Sequence, residues 1–314
     1  MKTISDLKNK ENAPESVQPK GTVAALGMFD GVHIGHKMLI ETAVRLGKKF
    51  GLEPVVFTFS NHPQSFFGKT VKRICTNEER ARLIKNLGAE RVVEIPFDEK
   101  IKDTSPEKFL DMLSEKVSAK IFVAGFDYTF GKNKLGTAET LSFLADERGL
   151  KACIIPPVIT EGEPVSSTRI KKLLEEGNIE GANIQLGREF SIKGKVLPGK
   201  KLGRLLDFPT ANLLPDPALV LPEQGVYITR AETTDGNCFP AITNVGTGPT
   251  VGDAQLRIET NILGFDKDIY GEELTVKFIK RLRPVIKFDS VTELKAQLSR
   301  DALKAEEYFG GVEK

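Results

Sequence analysis

The chain has no tryptophan, and only three cysteines and three histidines among its 314 residues. Cys75, Cys153 and Cys238 are widely separated, which excludes a disulfide framework and predicts buried thiols in a reducing compartment. Net charge is nearly absent: 45 Lys and Arg against 43 Asp and Glu leave a formal +2. Without a polyelectrolyte signature, nucleic acid is disfavoured as the main partner. No apolar run approaches the length of a membrane span, and the N-terminal stretch has no apolar signal core. No membrane association and a cytoplasmic location are therefore expected. Internal repeats and low-complexity tracts are also absent, and nothing in the sequence fixes an oligomeric state.

What remains is an ordinary soluble composition, 40% hydrophobic and 28% charged, in a chain long enough for two cores. The most informative stretch is GMFDGVHIGH, residues 27–36. It follows a strand-like run at 22–26 and leads into a 3.6-periodic segment with Leu39, Ala43, Leu46 and Phe50 near one face. A strand-to-helix junction presents backbone N–H groups that bind phosphates. Gly27, Gly31 and Gly35 permit close approach of a ligand, while His33 and His36 bring two imidazoles to one spot. The histidines lack an i,i+4 partner and a nearby cysteine, so zinc is poorly supported.

Further along, short apolar runs at 54–59, 91–95, 120–124 and 151–155 alternate with helical segments. Asn77 is the expected cap of one helix. Ser105-Pro106-Glu107 starts another, and Thr137 opens a third. This rhythm predicts a parallel sheet covered on both faces, with ligands bound beyond the strands' carboxyl ends. After helices from Ser166 to about Gly187 the rhythm changes. Runs at 225–231 and 238–245 flank Asp235-Gly236, a hairpin turn signal. Strands at 256–265 and 273–282 and a helix at 291–309 complete an antiparallel barrel or sandwich closed by a helix. The boundary is placed at 187, giving domains 1–187 and 188–314, each expected to fold alone.

Several constellations accompany the opening motif. Phe59-Ser60-Asn61-His62-Pro63 puts the third histidine beyond the second strand. Gly125-Phe126-Asp127-Tyr128-Thr129-Phe130-Gly131 follows the fourth strand. Ser166-Ser167-Thr168-Arg169-Ile170-Lys171 reads equally as a helix cap and as a set of phosphate donors. In the second half, Gly194, Gly199 and Gly203 space a basic loop that could wrap phosphates. Phe208-Pro209-Thr210-Ala211-Asn212 follows it, and Glu259 is a lone carboxylate in a strand.

The His33-Ile34-Gly35-His36 element with Phe29-Asp30-Gly31-Val32 before it resembles the signature of the nucleotidyltransferase superfamily. Its form is similar to that of bacterial bifunctional riboflavin kinase/FAD synthetases. The resemblance runs through Ser166-Ser167-Thr168, Pro209-Thr210-Ala211-Asn212 and the turn that begins at Asn244. It covers nearly the whole chain from Thr22 to Asp301. It implies a Rossmann-like, parallel-sheet nucleotidyltransferase domain, then an antiparallel β-barrel kinase domain with a C-terminal helix. The implied reactions phosphorylate riboflavin to FMN and adenylylate FMN to FAD, with ATP as substrate twice and pyrophosphate leaving in the second.

By the same resemblance, His33 and His36 hold ATP phosphates and stabilise charge as the α-phosphate is attacked, with Arg169 or Lys171 as the accompanying cation. Gly27, Phe29, Asp30, Gly31, Gly35, Asp127, Ser166, Ser167 and Thr168 form the nucleotide site. In the kinase half Gly194, Gly199 and Gly203 take that role. His62 and Tyr270 contact flavin, Thr210 and Asn212 reach Mg2+, and Glu259 is the base for the ribityl hydroxyl. Asp207, which stands where the family has glycine, raises an alternative: a synthetase whose second module binds flavin without turnover.

Overall fold

The computed structural model describes residues 21–198, 208–247 and 256–312. The expected loop at 9–14, the family turn at 248–250, and Gly199, Gly203 and Asp207 lie outside the described residues.

The first half alternates strand and helix as its periodicity requires. β1 (Thr22–Leu26) leads to α1 (Ile34–Phe50), β2 (Glu53–Phe59), the short α2 (Pro63–Phe66), α3 (Asn77–Asn86) and β3 (Arg91–Ile95). After α4 (Glu99–Lys102) and α5 (Pro106–Val117) come β4 (Ala119–Gly125), α6 (Ala138–Glu147) and β5 (Lys151–Ile155). The five strands pair in parallel in the order β3-β2-β1-β4-β5. The chain leaves β1 in one direction and returns on its other side at β4, so the crevice opens where the loops after β1 and β4 meet. Successive β1 residues face opposite layers. Ala24 and Leu26 pack with Phe122 and the α5 and α6 residues Leu110, Leu113 and Leu141. Val23 and Ala25 pack with Ile40 and Ala43 of α1 and Ile84 of α3. Phe122 is fully buried, and truncating such a side chain to Ala typically costs about 3–5 kcal/mol.

A small hairpin, β6 (Ile159–Thr160) and β7 (Glu163–Pro164), precedes α7 (Ser167–Glu175) and α8 (Ile179–Leu186). The second half is β8 (Phe190–Leu197), β9 (Ala211–Leu213), β10 (Gly225–Glu232), β11 (Cys238–Thr247), β12 (Leu256–Ile262) and β13 (Glu273–Arg283). The helix α9 (Val291–Val312) ends it. These six strands form a closed barrel in the order β10-β11-β12-β9-β8-β13. Closure leaves no edge strand. Inside, Thr229, Thr243 and Thr260 satisfy one another through a chain of hydroxyl bonds of 2.8 and 2.9 Å. Outside, Ala305 of α9 packs on Val226, Ile228, Ile242 and Ile279.

Several local expectations are corrected. Thr76, not Asn77, caps α3, its hydroxyl accepting from the Glu79 N–H at 3.1 Å. Phe50 ends α1 and is exposed. Cys238 is exposed at the hairpin; Cys75 is buried, Cys153 is half-buried and all three are free. Strand β12 stops at Ile262, three residues early, where the chain turns at Gly264. Gly194 lies inside β8, paired with Leu274, instead of in a loop. The sheet keeps its own apolar clusters, drawn from residues 23–155, but the boundary expected at 187 runs through the barrel's cluster. One apolar cluster joins Ile170, Leu174, Ile179, Ala182 and Leu186 of α7 and α8 to barrel residues including Phe190, Tyr227 and Phe278. Ile74, from the loop before α3, joins the same cluster.

Candidate functional sites

At the carboxyl ends of β1 and β4 lies a cavity of about 1010 Å³. His33 begins α1 as its N-cap, and its Nδ1 accepts from the His36 N–H at 3.3 Å. That bond assigns the ring proton to Nε2 in the neutral form. The two imidazoles stack with centroids 3.6 Å apart. His33 is buried and His36 is half-buried with its Nδ1 enclosed. Burial lowers His33 to about 4, with Arg188 adding to the effect and Asp30 opposing it. Burial, then His33 and two arginines, holds His36 well below the ordinary value. Both rings are therefore neutral at pH 7, and a neutral imidazole offers one N–H donor.

The loop between β1 and α1 is held from behind. The Arg80 guanidinium donates to the carbonyls of Met28 (3.1 Å) and Phe59 (2.9 Å) and pairs with Glu94. Arg188 donates to the carbonyls of Gly31 (2.7 Å) and Val32 (3.2 Å). With these carbonyls occupied, the first-turn N–H groups of Ile34 and Gly35 have no helical acceptor, and Gly35 borders the cavity. A Cβ on Gly35 would come within 3.1 Å of the His33 ring. Gly31 has φ +78, and a Cβ there would meet Ile74 at 2.8 Å. Phe29 (φ 52) and Val32 (φ 41) are also left-handed. Such residues cost roughly 1–2 kcal/mol each, and the burial of both side chains offsets that.

Of the residues predicted for this site, Gly27, His33, Gly35, His36, His62, Asp127, Ser166, Ser167 and Thr168 line the one cavity. Phe29, Asp30 and Gly31 stand behind it. The Phe29 ring lies 5.2 Å from that of His36. Asp30 accepts from the Ile74 N–H and pairs with Lys171 at 2.6 Å. The hydroxyls of Ser166 and Ser167 are engaged: Ser166 caps α7, and Ser167 donates to the Asp30 carbonyl at 2.8 Å. Thr168 is exposed, and its first-turn position leaves its N–H free as well. Arg169 is drawn away by Glu161 and Glu163, each at 3.2 Å, and by the Thr160 carbonyl. Neither Arg169 nor Lys171 lines the cavity. His62 is lowered by burial and then by Lys171, and its Nδ1 accepts from the Gln64 N–H. Sequence reasoning missed Arg80, Arg188 and Ile74, whose partners lie far along the chain.

A second constellation sits on the barrel's outer face. Asn212 of β9 and Asn244 of β11 both stand opposite Glu259 of β12. The next residues, Leu213, Ile258 and Val245, point into the barrel core. Directly opposed residues lie about 4.5–5.5 Å apart at Cα, so two amides flank one carboxylate. Thr210 immediately precedes β9, and its carbonyl accepts from Asn212 Nδ2 at 3.3 Å. Hydroxyl, amide and carboxylate oxygens form a hard donor set suited to Mg2+. Tyr270 lies in the loop before β13 with its ring against the cluster shared by α7, α8 and the barrel. Gly194 contributes a close strand contact with Leu213, not a phosphate loop.

Known proteins match both halves. The FAD synthetase family model covers residues 15–169 and the riboflavin kinase model residues 186–309. A Bacillus subtilis bifunctional riboflavin kinase/FMN adenylyltransferase is 35% identical, covering 93% of this chain and 94% of its own. The Escherichia coli protein of the same name is 32% identical, over 99% and 98%. The chain belongs to the bifunctional riboflavin kinase/FMN adenylyltransferase family. A Streptococcus pneumoniae crystal structure, described as a macrolide-efflux protein, is 35% identical with a TM-score of 0.85, covering 92% of this chain and 95% of that one. Among the described residues no helix is long and apolar enough to cross a membrane.

Proposed function

We infer that the chain carries both activities of its family: it phosphorylates riboflavin to FMN and adenylylates FMN to FAD, using ATP in each step. One observation carries the adenylylation reading. Two neutral, stacked imidazoles, one the cap and the other in the first turn of α1, stand at the switch point of a parallel sheet, beside a second helix start at Ser166–Thr168. The FMN phosphate attacks the α-phosphorus of ATP, the bond to pyrophosphate breaks, and no covalent enzyme intermediate forms. His33 and His36 donate to phosphate oxygens that gain charge, and the N–H groups of α1 and α7 add fixed dipoles. Because both rings are uncharged before ATP binds, their contribution is orientation and charge dispersal. Gly27, Gly35, Asp127 and Thr168 border the nucleotide, His62 meets the flavin, and Phe29, Asp30 and Gly31 hold the loop in shape.

For the kinase, Glu259 takes the proton of the ribityl hydroxyl as its oxygen attacks the γ-phosphorus and the bond to ADP breaks, and Thr210 and Asn212 would hold Mg2+. The ion when bound neutralises phosphate charge. Tyr270 borders the flavin. The division into residues 1–187 and 188–314 assigns one reaction to each part, and a cytoplasmic location suits the three free thiols. Every residue lining the cavity precedes Arg169, whereas Glu259 lies on the barrel, so the two reactions use separate sites. Incubation with riboflavin, ATP and Mg2+, followed by chromatographic separation of flavins, should show FMN rising first and FAD later. Unchanged riboflavin would overturn the kinase reading, and FMN without FAD the adenylyltransferase reading.

A further inference from the structure

The adenylyl cavity needs positive charge for two phosphate-bearing substrates, and the histidines at its centre are neutral. The cations around it are mostly occupied. Lys171 is paired with Asp30, Arg169 with Glu161 and Glu163, and both Lys102 and Lys132 with Asp103. Arg188 is spent on backbone carbonyls. Two lysines line the cavity, Lys102 and Lys134. Lys134 has no carboxylate within ion-pair distance among the described residues.

The backbone places Lys134 deliberately. It ends a 3-10 turn, Lys132–Lys134, in which Asn133 (φ 56) and Lys134 (φ 58) are both left-handed non-glycine residues. Each conformation costs roughly 1–2 kcal/mol and persists only if the surroundings enforce it. They do so here. Phe130 and Gly136 exchange backbone bonds of 3.0 and 2.9 Å across the base of the loop. The Lys132 N–H donates to the Thr104 carbonyl at 2.7 Å, and Gly131 sits against Pro106 so closely that a Cβ would lie 2.8 Å from its nitrogen. Lys134 and His62 line the same cavity, and the Lys134 ammonium is among the charges that lower His62.

We propose that Lys134 is a phosphate-binding residue of the adenylyl-transfer site, its ammonium meeting the phosphate of FMN or the polyphosphate of ATP. The neutral cavity centre and the pairing of its neighbours leave this task to it. The proposal rests on the adenylyltransferase reading. The test uses the full chain as Lys134→Ala and Lys134→Arg. FAD formation is measured with ATP varied at saturating FMN and with FMN varied at saturating ATP. Binding at the adenylyl site is read from KM for FMN and from inhibition of FAD formation by riboflavin, which lacks the phosphate, in a Glu259→Gln background where riboflavin is not turned over.

Lys134→Ala should raise KM for one substrate by roughly 10- to 100-fold, as for loss of a hydrogen bond to a charged group, and Lys134→Arg should restore most of it. A rise confined to FMN, with weakened FMN but unchanged riboflavin binding, assigns the flavin phosphate; a rise confined to ATP assigns the polyphosphate. Riboflavin phosphorylation by the single variants, unchanged, reports an intact fold. Unchanged KM for both substrates in Lys134→Ala would overturn the proposal. So would a loss that Lys134→Arg does not restore. Wild-type protein that makes no FAD would instead overturn the function on which it rests.

Discussion

The backbone N–H of Ile74 donates to Asp30 Oδ1 at 2.8 Å, and this bond ties the adenylyl site to the barrel. The preceding residue, Arg73, exchanges backbone bonds with Ala218 (2.7 Å) and Val220 (2.8 Å), between β9 and β10. Its guanidinium lies 3.5 Å from Asp216. Asp30 in turn pairs with Lys171, and its carbonyl accepts from Ser167. One carboxylate thus fixes three segments: the histidine loop, the start of α7 and the strap that reaches the barrel.

Removing that carboxylate strands a largely buried Lys171. Asp30→Ala should destabilise the protein by about 3 kcal/mol, as for breaking a buried ion pair, and reduce FAD formation by loosening the loop. Denaturant unfolding checks this; a variant as stable as wild type would show the pair to be idle.

In the proposed mechanism the histidines are donors to developing charge. His33→Ala or His36→Ala should reduce FAD formation by about 10²–10³-fold, the loss typical of one transition-state donor. FMN formation should hardly change, since Glu259 lies on the barrel. Separate assays of the two reactions decide it, and normal FAD synthesis would exclude the assignment.

His33 also makes stability depend on pH. Its folded value, about 4, is below the ordinary 6.5, so between them the unfolded chain binds more protons than the folded one. Stability should therefore be intact above pH 6.5 and fall as pH drops towards 4, by about 3 kcal/mol from this group. His36, shifted the same way, adds to the fall. Thermal melts across this range should show the loss, and His33→Gln should flatten it.

On the barrel, Glu259→Gln keeps size and hydrogen bonding while removing the base. Riboflavin should still bind, and FMN formation should drop by ~10²–10⁴-fold. FAD formation from supplied FMN is the internal control. A variant that phosphorylates riboflavin at the wild-type rate would remove Glu259 from the mechanism.

A chain ended at Gly187 would uncover Ile170, Leu174, Ile179, Ala182 and Leu186. Each large aliphatic side chain so exposed forfeits about 1.5–3 kcal/mol. The fragment should aggregate or melt without cooperativity, and a monomeric, sharply melting fragment would contradict the shared core.

The sheet was legible because its strands are short apolar runs: 22–26, 91–95 and 151–155 coincide with β1, β3 and β5. Helix starts at Ser105-Pro106 and Thr137 were legible from cap chemistry, which is local. The histidines and the Ser166–Thr168 start were found because their spacing along the chain is itself the signal. Asn212 was read from its motif, but β9 is only three residues long and carries no periodicity to detect. Arg188, Ile74 and Lys134 left no local trace. Arg188 reaches carbonyls 156 and 157 residues away, and a pairing at that separation is invisible in a single sequence. The burial of His36 and the exposure of Phe50 likewise depend on what tertiary packing brings against α1.

The apolar cluster beneath α7, α8 and the barrel has a consequence for how the molecule is lost as well as how it works. A protease, or heat, that opens the barrel also strips support from the helix carrying Ser166–Thr168. Damage to the barrel then removes both reactions together.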